Sequence, residues 1–233
     1  MFSLPYGIII ACDVKTPKEL KFLVESTAGI EGIVGYKIGF MLGLLHSLPA
    51  AVETVKEMTD LPVVYDYQKA GSDIPQMGEE FAAVMKASNV DSAIIFPQAG
   101  PKTEEAFVMA LQKEGIIPMV GGEMTHPQFL AKDGGYILDD APERIYELAA
   151  KLGVEHFVVP GNKPDKIRKY LGMLPENSKI CMPGIGRQGG EIEAAFNACN
   201  GYNAYAIIGS AIYKSPNPAD AAKSFSAVVK RFL

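Results

Sequence analysis

Eight times along the chain, a short run rich in Ile and Val gives way to a loop and then to a longer stretch whose apolar residues recur with helical spacing. The runs fall at residues 7–12, 32–38, 62–67, 92–96, 116–121, 157–159, 179–182 and 204–208. The helical stretches behind them are 18–26, 44–58, 78–87, 103–113, 142–152, 167–171, 190–199 and 218–232. Strands that alternate with helices are parallel and covered on both faces, so their sequences are nearly continuous in apolar character. Thr16-Pro17 marks the first helix start, a capping hydroxyl before a proline at the first helical position, and Pro164 opens the sixth.

Eight consecutive units with mostly short connections predict a closed single-domain (β/α)8 TIM barrel over residues 1–233, with its active site at the carboxyl ends of the strands. The rival is an open doubly wound sheet. That fold normally carries a glycine-rich dinucleotide loop after its first strand, whereas Cys12-Asp13-Val14-Lys15-Thr16 has no glycine. A length of 233 residues with 48% hydrophobic content suffices for one large core. The net charge of −5 provides no broad basic field for nucleic acid, so a small-molecule partner is expected. Cys12, Cys181 and Cys199 are odd in number and far apart, which fits a reducing cytoplasm better than a disulfide framework. The apolar opening has no basic leader region and is interrupted by Asp13, well short of the ~20 residues of a membrane span, and reads as a buried strand.

Ionisable residues at the ends of barrel strands are either solvated or used in the pocket. Asp13 ends the first strand, Lys37 lies in Gly35-Tyr36-Lys37-Ile38-Gly39 at the end of the second, and Asp66-Tyr67-Gln68-Lys69 ends the third, with Asp73 soon after. Alternating signs from three neighbouring strands can hold an ammonium between carboxylates, keeping Lys69 charged as a proton donor while the carboxylates repel an anionic group of a substrate. The same carboxylates could instead hold Mg2+, since hard cations prefer oxygen ligands.

A second cluster, Pro183-Gly184-Ile185-Gly186-Arg187-Gln188-Gly189-Gly190, follows the seventh strand, and Gly209-Ser210 follows the eighth. Glycines let backbone N–H groups approach an anion, and these two loops form the usual phosphate site of such barrels, so a phosphorylated ligand is expected. A third cluster, Glu123-Met124-Thr125-His126-Pro127, follows the fifth strand. Thr125 is its candidate for ligand contact, because its hydroxyl and backbone both donate and accept. His126 reads as a packed loop residue, and His46 and His156 as structural.

With these residues in view, the chain resembles the orotidine 5'-monophosphate decarboxylase family, particularly its archaeal type, over almost its full length. Seven segments in family order carry the likeness: Asp13; Gly35 to Gly39; Asp73-Ile74-Pro75; Glu123-Met124-Thr125-His126-Pro127; Pro160-Gly161 with Pro164; Pro183 to Gly190; and Ile208-Gly209-Ser210-Ala211-Ile212-Tyr213. The resemblance implies decarboxylation of orotidine 5'-monophosphate without metal or organic cofactor. It implies that Asp13 binds a ribose hydroxyl, that Lys37, Asp66, Lys69 and Asp73 form a charged network, and that Lys69 delivers the proton. Thr125 would meet the pyrimidine, Gln188 would bridge base and phosphate, and Gly209 and Ser210 would give N–H groups to the phosphate, with Gly186 in the same loop system. The family is dimeric, and the aspartate matching Asp73 reaches into the neighbouring subunit's pocket.

Three departures from the family pattern stand out. The family's Asp-x-Lys-x-x-Asp puts its first two charges on one strand face, but here Lys69 follows Asp66 by three positions and Asp73 follows it by seven, which calls for a bulge or longer loop. Ser210 stands where the family usually has an arginine, and Arg187 could supply that charge from the other loop. Met77 replaces a threonine that normally contacts ribose. The alternatives are a Mg2+-dependent sugar-phosphate lyase or aldolase of the same superfamily, of the hexulose-phosphate synthase or keto-gulonate-phosphate decarboxylase type, and a catalytically inactive nucleotide-binding barrel.

Overall fold

The structure, a computed structural model, describes residues 1–67, 71–186 and 190–233. Its strands are β1 (Tyr6–Cys12), β2 (Ile33–Gly39), β3 (Val63–Asp66), β4 (Ser92–Ile95), β5 (Ile117–Gly121), β6 (His156–Val158), β7 (Lys179–Met182) and β8 (Asn203–Ile208). They pair in sequence order, and β8 closes onto β1, giving a parallel barrel. The closed barrel expected from the repeated units is therefore the one formed, and the open doubly wound sheet is not.

The helices are α1 (Pro17–Thr27), α2 (Phe40–His46), α3 (Leu48–Lys56), α4 (Met77–Ala87), α5 (Pro101–Lys113), α6 (Ala141–Lys151), α7 (Pro164–Leu171), α8 (Ile192–Ala198), α9 (Ser210–Tyr213) and α10 (Pro218–Val229). Thr16 caps α1 as its sequence suggested: Glu19 N donates to Thr16 Oγ1 at 3.2 Å while Thr16 N donates to the Glu19 carboxylate at 3.0 Å. The single helix expected over 44–58 is instead two. Pro49 cannot donate to the carbonyl four residues back and would collide with it, so the chain breaks at Ser47, with φ 70°, and restarts with Pro49 in the first turn of α3. The Ser47 hydroxyl then accepts from Ala50 N at 3.4 Å. The short helix α9 was not anticipated at all.

Two apolar layers result. Residues facing outward from the strands, among them Ile8, Ile10, Tyr36, Ile38 and Ile95, pack under the helices. Residues facing inward, among them Ile9, Val34, Val64, Ile94, Met119 and Tyr205, fill the barrel itself, so it is a packed core with no pore. Phe2 and Leu4 close the floor: the Phe2 ring lies 4.3 Å from the Tyr205 ring and 6.0 Å edge-on from His156. Met124 packs against the inner layer from the strands' carboxyl ends. Complete burial of each such side chain contributes about 1.5–3 kcal/mol relative to exposure.

Candidate active site

The strands' carboxyl ends surround a cavity of about 460 Å³. One wall carries Asp13, Lys37 and Asp66; the other carries Pro183, Gly184, Ile185, Gly209 and Ser210; Glu123, Met124, Thr125 and His126 lie between them. The sequence-predicted clusters therefore meet in one place, as three parallel strands and three loops at one barrel end require. Among the described residues, no three His, Cys, Asp or Glu side chains gather as a metal site.

Lys37 is the centre of the charged wall. Its Nζ donates to Asp66 Oδ2 at 2.8 Å and to Asp13 Oδ1 at 3.5 Å, and its side chain is only 9% exposed. Burial works against its charge, but the fields and hydrogen bonds of Asp66 and Asp13 outweigh it, so its pKa is raised and it remains an ammonium at neutral pH. Gly39 makes room for this arrangement: a Cβ there would lie 2.7 Å from Asp13 Oδ1. Asp66 commits one oxygen to Lys37, while its buried Oδ1 has no hydrogen-bond partner among the described residues.

Asp73 is not among the residues that line this cavity. It is exposed, its carboxylate accepts from Ile74 N at 2.7 Å, and its carbonyl accepts from Thr103 Oγ1 at 2.8 Å. Met77, which replaces the expected threonine, is the exposed first residue of α4. Lys69, with the altered spacing around it, lies outside the described residues, as do Arg187 and Gln188. The stem of their loop is described: Gly186 N donates to Gly190 O at 2.8 Å and Gly190 N to Gly184 O at 3.2 Å. Gly184 has φ 91°, and a Cβ on it would come within 2.9 Å of Thr125 Cγ2, so the glycine loop and the loop after β5 touch directly.

His126 packs edge-on against Phe129 with ring centroids 5.6 Å apart, as a loop-stabilising residue would, and also lines the cavity. His46 Nε2 meets Lys15 O at 2.9 Å, a structural contact. His156 is buried near the floor, where burial, followed by the charges of Lys179 and the N-terminus, pushes its pKa down to about 4.

One cluster escaped the sequence reading. Glu123, 1% exposed at its side chain, accepts from Lys163 Nζ at 2.7 Å, faces Lys166 Nζ at 3.1 Å, and takes a hydrogen bond from the Tyr170 hydroxyl. Burial opposes its charge, but hydrogen bonds from Lys163, Tyr170 and Lys166 prevail and hold its carboxyl below the ordinary value. The available signal was the spacing of Lys163, Lys166 and Tyr170, three and four residues apart and so on one face from the N-cap of α7 to its last turn.

Comparison with known proteins agrees with this geometry. The model of the orotidine 5'-phosphate decarboxylase / HUMPS family matches residues 7–225. The orotidine 5'-phosphate decarboxylase of Methanococcus maripaludis is 28% identical over 218 residues, 94% of each chain. That of Pyrococcus horikoshii is 30% identical over 217 residues, covering 93% of this chain and 96% of its own. The crystal structure of the Methanocaldococcus jannaschii orotidine 5'-monophosphate decarboxylase complexed with the inhibitor BMP superposes with a TM-score of 0.84 at 25% identity, covering 96% of this chain and 98% of that one. By the reach of the family match, and with the barrel and strand-end charges in place, the chain belongs to the orotidine 5'-phosphate decarboxylase / HUMPS family.

Proposed function

We propose that the protein decarboxylates orotidine 5'-monophosphate to uridine 5'-monophosphate in pyrimidine biosynthesis, the chain acting as one catalytic domain. The observation that carries this reading is Lys37 held between Asp13 and Asp66 across a cavity from Gly184, Gly209 and Ser210, in a chain whose relatives are named for this reaction.

In this reading Asp13 takes a ribose hydroxyl, Thr125 meets the pyrimidine, and Gln188 bridges base and phosphate. Backbone N–H groups of Gly209 and Ser210 receive the phosphate, with Gly186 in the loop beside them, and Arg187 supplies the charge missing at Ser210. Asp66 faces the substrate carboxylate and destabilises it. The bond from C6 to the carboxyl carbon breaks, CO2 leaves, and the electron pair at C6 takes the proton of the Lys69 ammonium, which water then restores. The unpartnered Asp66 Oδ1 is a suitable acceptor for that ammonium. Phosphate contacts remote from C6 contribute to transition-state stabilisation by holding the ligand in this alignment.

The functional unit in this proposal is a homodimer, with Asp73 reaching into the partner's cavity. Its support is that Asp73 is exposed and followed in the chain by the exposed apolar residues Ile74 and Met77, and that Phe40, Leu44 and Leu45 of α2 are exposed as well. A cytoplasmic location is consistent with three buried, unpaired cysteines, and none of the described helices is long and apolar enough to cross a membrane.

The competing lyase reading needs a divalent cation among the carboxylates, and the Lys37 ammonium already stands between Asp13 and Asp66. The experiment is to follow the loss of orotidylate absorbance with and without EDTA. Turnover that ignores EDTA supports the decarboxylase. Activity only with added Mg2+ on a sugar phosphate, or tight binding of uridine 5'-monophosphate without conversion of orotidylate, overturns it.

A further inference from the structure

Thr125 is gripped by the chain that follows β6. Lys163 Nζ, while bound to Glu123, also donates to Met124 O at 3.1 Å. Asn162 Nδ2 donates to Thr125 O at 3.2 Å. Those two carbonyls belong to the peptide planes on either side of Thr125, so the pair of donors sets its φ and ψ together, and with them the direction of its side chain. On the third side, Thr125 Cγ2 abuts Gly184.

The donor on Met124 O depends in turn on Glu123. A lysine half withdrawn from water keeps its direction only if an acceptor holds it, and Glu123 holds both Lys163 and Lys166 from a position with almost no solvent. The Tyr170 hydroxyl fixes the carboxylate from α7, and Tyr170 is itself fully buried against Tyr146, with ring centroids 4.9 Å apart. The chain of contacts therefore runs from the core, through Tyr170, Glu123 and Lys163, to the peptide that aims Thr125.

We infer that Glu123 is a positioning residue for base recognition: through Lys163 it fixes the backbone of Thr125 so that the cavity distinguishes a uracil edge from a cytosine edge. The two bases present opposite donor and acceptor patterns at the ring position and exocyclic group that Thr125 would meet, so rotation of its peptide by a few tens of degrees exchanges a good contact for a poor one. This inference rests on the pyrimidine-nucleotide reading above.

The test measures calorimetric affinities of uridine 5'-monophosphate, cytidine 5'-monophosphate and ribose 5-phosphate for wild type, Glu123→Gln, Lys163→Met and Thr125→Ala. The expected result is a loss of uridylate-over-cytidylate preference of about tenfold in Glu123→Gln and in Lys163→Met, the scale of one well-placed hydrogen bond, with ribose 5-phosphate affinity unchanged. Because Thr125→Ala keeps the peptide that Glu123 aims, adding Glu123→Gln to it should still remove the preference that remains. Lys163→Met leaves Glu123 paired with Lys166 and serves if Glu123→Gln fails to fold. Unchanged preference in a folded Glu123→Gln or Lys163→Met variant, or equal loss for all three ligands, overturns the inference and leaves the functional reading standing. A wild-type protein with no preference for uridylate overturns both.

Discussion

Lys37 and Asp66 form an ion pair at 2.8 Å with side chains only 9% and 8% exposed, two charges set into the top of an apolar barrel. Such a pair is costly to break from one side, because the surviving charge remains buried. Asp66→Ala should destabilise the fold by about 3 kcal/mol, the low end for buried pairs since Asp13 remains 3.5 Å from Lys37. Urea denaturation measures it. The double variant Lys37→Met with Asp66→Leu should recover most of the stability and none of the turnover.

Lys69→Ala should retain its thermal midpoint and lose decarboxylation, because the proposed mechanism takes the C6 proton from Lys69. Single-turnover absorbance measurements check this. Wild-type-like activity in the variant would end the assignment of Lys69.

Arg187→Ala should weaken uridine 5'-monophosphate affinity by roughly one to two powers of ten, the scale of a charged hydrogen bond of about 1.5–3 kcal/mol. Adding Ser210→Arg should restore the affinity by returning a guanidinium to the phosphate from the opposite loop. Isothermal titration of the single and double variants decides whether the two positions are interchangeable.

Glu104 on α5 is buried, and burial raises its pKa to about 8, with the Ala149 backbone acting in the other direction. In the unfolded chain it loses its proton near the ordinary carboxylate value, while the folded protein keeps it bound until about 8. The folded state therefore binds more protons across that interval, and stability falls as pH rises through it. Glu104→Gln should raise the thermal midpoint at pH 8 and flatten its decline from pH 5 upward.

His156 acts in the opposite sense. Its folded pKa of about 4 is below the ordinary 6.5, so the unfolded chain takes up a proton first as pH falls, and stability drops between those values. His156→Gln should lessen the acid-side loss by a few kcal/mol at pH 4. Thermal midpoints of the two single variants between pH 4 and 8 should diverge from wild type at opposite ends.

The barrel was legible because apolar strands and amphipathic helices alternate with two distinct periods, and those periods survive without any knowledge of contacts. The charges of Asp13, Lys37 and Asp66 were legible because a strand end in such a barrel has only one place to point. The break at Ser47 was missed although Pro49 announced it, since apolar spacing continues on both sides of the break. The Glu123 cluster was missed for a different reason: Lys163, Lys166 and Tyr170 lie some 40 residues away, on a helix whose polar face resembles any solvated one until β5 and β6 pair.

Phe2 and Leu4 stopper the barrel below its inner layer, and that has a consequence for traffic. With the base sealed by side chains, whatever occupies the cavity enters and leaves, among the described residues, by the rim where Thr125 and Gly184 meet.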